Sequence, residues 1–110
     1  MAETTETPVL DLLARMNADA IRVSSLDPET LALVRIAALV AVDAPAVSYA
    51  LNLALAGELE LEPEQIQGVL AAVAPIVGTA RVVSASAKMV EGLVIDLEVA
   101  ELEAESDEQA

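Results

Sequence analysis

Leu26-Asp27-Pro28-Glu29-Thr30-Leu31-Ala32-Leu33-Val34-Arg35-Ile36-Ala37-Ala38-Leu39-Val40-Ala41-Val42-Asp43-Ala44-Pro45 decides how the rest of the chain is read. The Asp27 carboxylate is suited to accept the free backbone N–H groups of a helix's first turn. Pro28 brings the fixed φ that suits the first helical position, and Glu29 faces the positive end of the helix dipole. The residues that follow are apolar almost all the way round, with Arg35 the sole interruption. A helix of that kind belongs in the interior of an all-α domain. Asp43-Ala44-Pro45 then ends it and begins another helix running to about Ala56, with Gly57 placed to close it.

Upstream, Val9, Leu12, Leu13 and Met16 fall at i, i+3, i+4 and i+7, one apolar stripe on a helix from Pro8 to about Ala18. Asp11 and Arg15 form an i,i+4 pair on another face. Ile21-Arg22-Val23 reads as extended or turn-like. Downstream, Glu58–Glu62 reads as an acidic loop, and Glu62 or a neighbour caps a helix with Pro63 at its first position. Ile66, Val69, Leu70 and Val73 lie at helical spacing along it. Pro75 and Gly78 predict a kink or a stop. A fifth helix is expected over about Thr79–Glu91, punctuated by Gly92, with one more short helix over Val94–Leu102. No alternating pattern persists that would specify a strand. The domain reading is therefore a disordered acidic N-terminus over 1–7, one helical domain over 8–102, and a frayed acidic tail over 103–110.

Composition limits what such a domain can do. Of 110 residues, 55% are hydrophobic, against the roughly 45–50% usual for soluble domains. One monomer core of this size does not hide that much apolar surface, so a homo-oligomer is expected. The net charge is −14, and residues 96–110 hold seven acids and no base. The segment 8–95 has ten acids against Arg15, Arg22, Arg35, Arg81 and Lys88. No basic footprint exists for phosphates, which excludes nucleic acid and disfavours anionic membrane surfaces. Tyr49 is the one aromatic residue, so bases have no stacking platform. The longest strictly apolar run, Ile36–Val42, falls far short of the roughly 18 residues of a membrane span. Met1–Thr7 has no basic n-region, so no leader is expected and a cytoplasmic location is the default.

Leu26–Thr30 with its apolar helix, Pro63-Glu64-Gln65-Ile66, and Val73-Ala74-Pro75-Ile76-Val77-Gly78 occur in an order and spacing that resembles the carboxymuconolactone decarboxylase and alkylhydroperoxidase-D-like superfamily. The resemblance covers roughly Leu26 to Gly92. It implies a five- to six-helix, alkylhydroperoxidase-D-like domain assembling as a homo-oligomer, a trimer or hexamer, on the Pro28–Val42 and Pro45–Ala56 helices; if the first of these forms the interface, Leu39→Glu should disrupt assembly. In alkylhydroperoxidase-D-like members the helix equivalent to Pro45–Ala56 opens with two cysteines three apart and a histidine four residues later. A thiolate attacks the peroxide, the second thiol resolves the sulfenic acid, and the imidazole moves protons. The matching positions here are Pro45, Ser48 and Asn52, and an assisting acid falls near Ala32. The chain contains no cysteine and no histidine. Thiol peroxidase chemistry is thereby excluded, and the histidine on which the decarboxylase branch relies is missing too.

The polar residues left at those positions are Ser48, Tyr49 and Asn52, the candidates for a catalytic or orienting role. Arg35 and Arg81 are candidates for holding a carboxylate by bidentate hydrogen bonds. Each has a plainer reading. Ser48 and Asn52 can satisfy themselves on nearby backbone, Tyr49 can be packing, and Arg35 can pair with Glu29, Asp43 or a neighbouring subunit. Glu58, Glu60 and Glu62 do not have the spacing of a metal loop, and no cofactor is implied. The expectation is a non-redox, oligomeric binding or structural protein whose vacated pocket takes a small apolar molecule or carboxylate. The alternative is a cofactor-free lyase or isomerase acting on a small organic acid, with Arg35 or Arg81 binding the acid and Tyr49 relaying a proton. The acidic tail offers a further docking element for a basic partner.

Overall fold

The computed structural model describes residues 7–109. It consists of five helices: α1 (Pro8–Val23), α2 (Pro28–Val42), α3 (Ala46–Glu58), α4 (Pro63–Val77) and α5 (Thr79–Gln109). No strand occurs among the described residues, and no helix is long and apolar enough to cross a membrane. Segment 1–6 and Ala110, expected to be disordered, lie outside the described residues.

The start of α2 follows local chemistry. Asp27 Oδ1 accepts from the Thr30 backbone N–H at 2.8 Å, and the Thr30 hydroxyl donates to Oδ2 at 3.0 Å. Those bonds hold the Asp27 carboxyl below its usual range, the backbone bond from Thr30 foremost. At α4, the Glu62 N–H donates to the Gln65 side-chain oxygen at 2.8 Å, half of a capping box ahead of Pro63. The helix ends are less obvious in sequence. Asp43 closes α2 at φ 53° while the Ala44 N–H reaches back to the Leu39 carbonyl at 3.0 Å. Glu60 does the same after α3 at φ 58°, with the Leu61 N–H on the Ala56 carbonyl. Both are Schellman-type closures in which a non-glycine residue takes the left-handed position.

Several boundaries differ from expectation. Ile21-Arg22-Val23 is the last turn of α1, because β-branched residues lower helix propensity by only a few tenths of a kcal/mol. Gly57 lies inside α3. α4 continues through Pro75, and the expected stop comes at Gly78, whose φ of 90° suits only glycine. The expected break at Gly92 is absent. α5 is one helix of 31 residues that includes Gly92 and continues through 103–109, where fraying was expected.

α2 is the central helix, packed against α3, α4 and α5, while α3 lies along α5. The core centres on Val40, Ala44, Tyr49 and Ala85, with Leu39, Leu53, Leu70, Val73, Val77 and Met89 around them. Leu39, whose substitution tests the Pro28–Val42 helix as an interface, is half-buried against this core. Buried apolar residues are mostly alanines: Ala32, Ala44, Ala50, Ala56 and Ala85 beside Ile36, Val40 and Tyr49. By contrast, α1 buries none of its residues, and its stripe of Val9, Leu12, Leu13 and Met16 is exposed. The radius of gyration is 15.9 Å, above the about 13 Å of a compact chain of similar length. The protruding α5, about 46 Å long at 1.5 Å per residue, and the loosely attached α1 explain the excess.

Candidate functional site

Between α1, α2 and α3 lies a cavity of about 570 Å³, within the usual range for small-molecule sites. Leu13, Ile21, Leu51 and Leu55 form its apolar wall. Its polar groups are Asn17 from α1, Arg35 from α2 and Asn52 from α3. A smaller space of about 230 Å³ beside it shares Ile21 and Leu55 and is otherwise lined by Leu26, Pro28, Leu31 and Leu59. Together they form an apolar recess with polar groups on one side.

Arg35 donates from Nη1 to the Asn17 side-chain oxygen. The carboxylate partners expected for it, Glu29 and Asp43, are not there. Among the described residues no carboxylate lies within ion-pair distance of its guanidinium. The half-buried Arg35 thus lines the cavity beside leucines, with the neutral amide of Asn17 as its hydrogen-bond partner among the described residues. A planar donor fork in such surroundings suits a carboxylate. Asn52 donates from Nδ2 to the Ser48 carbonyl at 2.8 Å, an i,i+4 bond that fixes the amide and leaves its oxygen available. Ser48 is half-buried and does not line the cavity; its backbone steadies Asn52.

Tyr49 is elsewhere. Its side chain is 0% exposed, packed with Val40, Ala44 and Ala85, and its hydroxyl has no partner among the described residues. Burial, and then the charge of Asp43, pushes the phenol above its usual range. A neutral phenol that does not open on the cavity cannot relay a proton there. Arg81 is also remote: it donates from Nη1 to the Ala41 carbonyl near the C-terminus of α2, where a cation meets the negative end of the helix.

A second polar group assembles around Asp43. The Ser84 hydroxyl donates to Asp43 Oδ1 at 2.7 Å, and Lys88 Nζ lies 3.0 Å from the same oxygen and 3.3 Å from the Asp43 carbonyl. The Ser84 bond first and Lys88 second hold the Asp43 carboxyl below its usual range. These bonds tie the left-handed turn after α2 to α5. A third space, about 520 Å³ between α3, α4 and α5, is bordered by Leu53, Ile66, Leu70 and Met89, with Gln67 and Ser86 as its polar residues and no charged group.

The structure thus brings Arg35 and Asn52 to one cavity and leaves Ser48, Tyr49 and Arg81 outside it. Asn17, Ser84 and Lys88 are not singled out by the sequence, whereas Asp43 reads there as a helix end and a partner for Arg35. Asn17 lies one turn from Leu13 and one turn from Ile21, a polar residue in an apolar row of α1 that could have pointed to it. The Asp43 contacts span more than forty positions and leave no local signal. Among the described residues, no group of three carboxylates gathers that could hold a metal ion.

Neither a curated protein nor a solved structure matches the chain. The sequence model of one family does, over residues 7–91, which takes in α1 to α4 and the first part of α5 and so extends the likeness to α1. With most of its length matched, and an all-α architecture, the chain belongs to the carboxymuconolactone decarboxylase family.

Proposed function

We propose that this protein is a non-redox member of its family that works as a homo-oligomer and binds a small carboxylate with an apolar body in the cavity between α1, α2 and α3. The observation that carries the reading is Arg35, a guanidinium with no carboxylate among the described residues to pair with, set beside Leu13, Leu51 and Leu55. The ligand's head would pair with Arg35 while the remaining side-chain N–H of Asn52 donates a further hydrogen bond to it. Its hydrocarbon part would lie on the leucines. Binding rather than turnover is favoured because the sequence has no histidine or cysteine to serve as base or nucleophile near neutral pH. A lyase or isomerase would need a base at the cavity, and Tyr49 does not line it. Oligomerisation is supported by the apolar side chains left exposed on α1, α3 and α5, such as Val9, Leu51 and Val90.

Calorimetric titration of the purified protein with hexanoate, octanoate and the matching alcohols tests this reading. A charge-assisted bond contributes about 1.5–3 kcal/mol, so carboxylates should bind about 10- to 150-fold tighter than the alcohols. Arg35→Met should remove that preference while leaving the helical content intact. Equal affinity for acid and alcohol, or no change with Arg35→Met, would overturn the proposal.

A further inference from the structure

On α5, Ala80, Val83, Ala87, Val90, Val94 and Leu97 follow one another at spacings of three, four, three, four and three. That is the a/d pattern of a two-helix seam. The seam faces away from the core. Among the α5 residues whose burial is described, Ala85 and Gly92 are buried, whereas Val83 is 63%, Val90 66% and Leu97 57% exposed, and Ala80, Ala87 and Val94 are exposed as well. The seam runs about 25 Å along the helix at 1.5 Å per residue. It ends where α5 begins on one side and where Glu101 takes the next seam position on the other.

We propose that this seam pairs with the same seam of a second copy of the chain, antiparallel, around a two-fold axis near Lys88 and Met89. The inference rests on the self-association part of the reading above and adds the surface and its orientation. Charge selects the direction. A parallel pair would set Glu91, Glu98, Glu101, Glu103 and Glu105 beside their own duplicates. The antiparallel pair keeps the two acidic ends about as far apart as α5 allows. In the register that overlays the two seams, Ala80 faces Leu97 of the second copy, Val83 faces Val94 and Ala87 faces Val90. Small side chains thus meet large ones at two of the three kinds of layer, which lets the helices interdigitate. In this register Glu91 lies level with Ser86 of the second copy rather than with another acid. Glu98 reaches the level of the first turn of the opposing α5, at the positive end of that helix. The contact is isologous and two-fold, so it builds assemblies with an even number of chains.

The lack of cysteine makes the orientation directly testable. Full-length Ala80→Cys and Leu97→Cys chains, co-expressed and mildly oxidised, should give mixed disulfide dimers in at least several-fold excess over either homotypic dimer. Two Leu97 positions lie about 25 Å apart in the antiparallel pair and adjacent in a parallel one. A predominance of Leu97→Cys homodimers would therefore overturn the orientation. Val90→Glu, at an exposed position, should keep the far-ultraviolet helical signal and halve the mass measured by light scattering. An unchanged mass with helicity retained would overturn this surface while leaving self-association standing. A monomeric wild-type chain would overturn both.

Discussion

The Tyr49 hydroxyl lies in an apolar core with no hydrogen-bond partner among the described residues, while the ring fills the centre of that core. These two parts of one side chain act in opposite directions. Burying the ring contributes as any large apolar group does, about 25 cal/mol per Å² removed from water. Leaving the hydroxyl unpaired costs about 1–3 kcal/mol. Tyr49→Phe keeps the ring and deletes the unpaired group. It should therefore raise stability by about 1 kcal/mol in urea denaturation at fixed protein concentration. Tyr49→Ala, which removes the ring as well, should cost about 3–5 kcal/mol. A loss of stability in the phenylalanine variant would mean that the hydroxyl has a partner, such as an ordered water, and that the tyrosine is retained for it. The same deletion should leave binding at the Arg35 cavity unchanged, since Tyr49 does not line that space.

Among the elements, the α3–α5 pair is the closest. A Cβ at Gly92 would lie 2.9 Å from the Ala50 nitrogen and 3.0 Å from the Ala46 carbonyl oxygen, both backbone atoms that cannot swing aside. Helix propensity alone favours alanine over glycine by about 1 kcal/mol. The contact opposes it, because α3 and α5 would have to separate and loosen Tyr49 and Ala85 between them. Overpacking of that kind costs about 1–3 kcal/mol, so Gly92→Ala should come out destabilising by about 1 kcal/mol, against the propensity scale. Increased stability in thermal unfolding would show that the helices have room. Gly92 also explains where sequence reading reached its limit. As a residue it resembles a helix terminator, and the reason for it lies on α3, some forty positions away. The start of α2 was legible because Asp27, Pro28 and Thr30 act on one another within a single turn. Asp43 and Glu60 end their helices in the left-handed conformation without the glycine that signals it. Arg35 and Asn52 were both legible as polar exceptions on apolar helices. That they share a cavity with Asn17 depends on where α1 lies relative to α2 and α3, which no local pattern encodes.

At the scale of the whole molecule, apolar association and charge oppose each other. Val83, Val90 and Leu97 on α5, Leu51 on α3 and Val9 on α1 favour bringing copies together, while each copy carries a net charge of −14. Favourable ion pairs are few: among the described residues only Arg22–Asp19 and Lys88–Asp43 meet, the first of them well exposed. Pairs of that kind contribute about 0–1 kcal/mol each. Repulsion among the excess acids acts both within a chain and between chains. Glu101 and Glu105 stand one turn apart near the negative end of α5, where acids are unfavourable on both counts. Salt weakens the attractive and repulsive terms alike, so the larger sum sets the sign. Raising sodium chloride from about 10 mM to about 500 mM shortens the screening length from about 30 Å to a few ångströms. The thermal midpoint should then rise by several degrees, the reverse of a fold held by ion pairs. A variant ending at Leu102, without Glu103, Glu105, Asp107 and Glu108, should start from a higher midpoint in low salt and gain less from added salt. A midpoint that falls with salt in the full chain would mean that attractive pairs, within a copy or between copies, outweigh the repulsion.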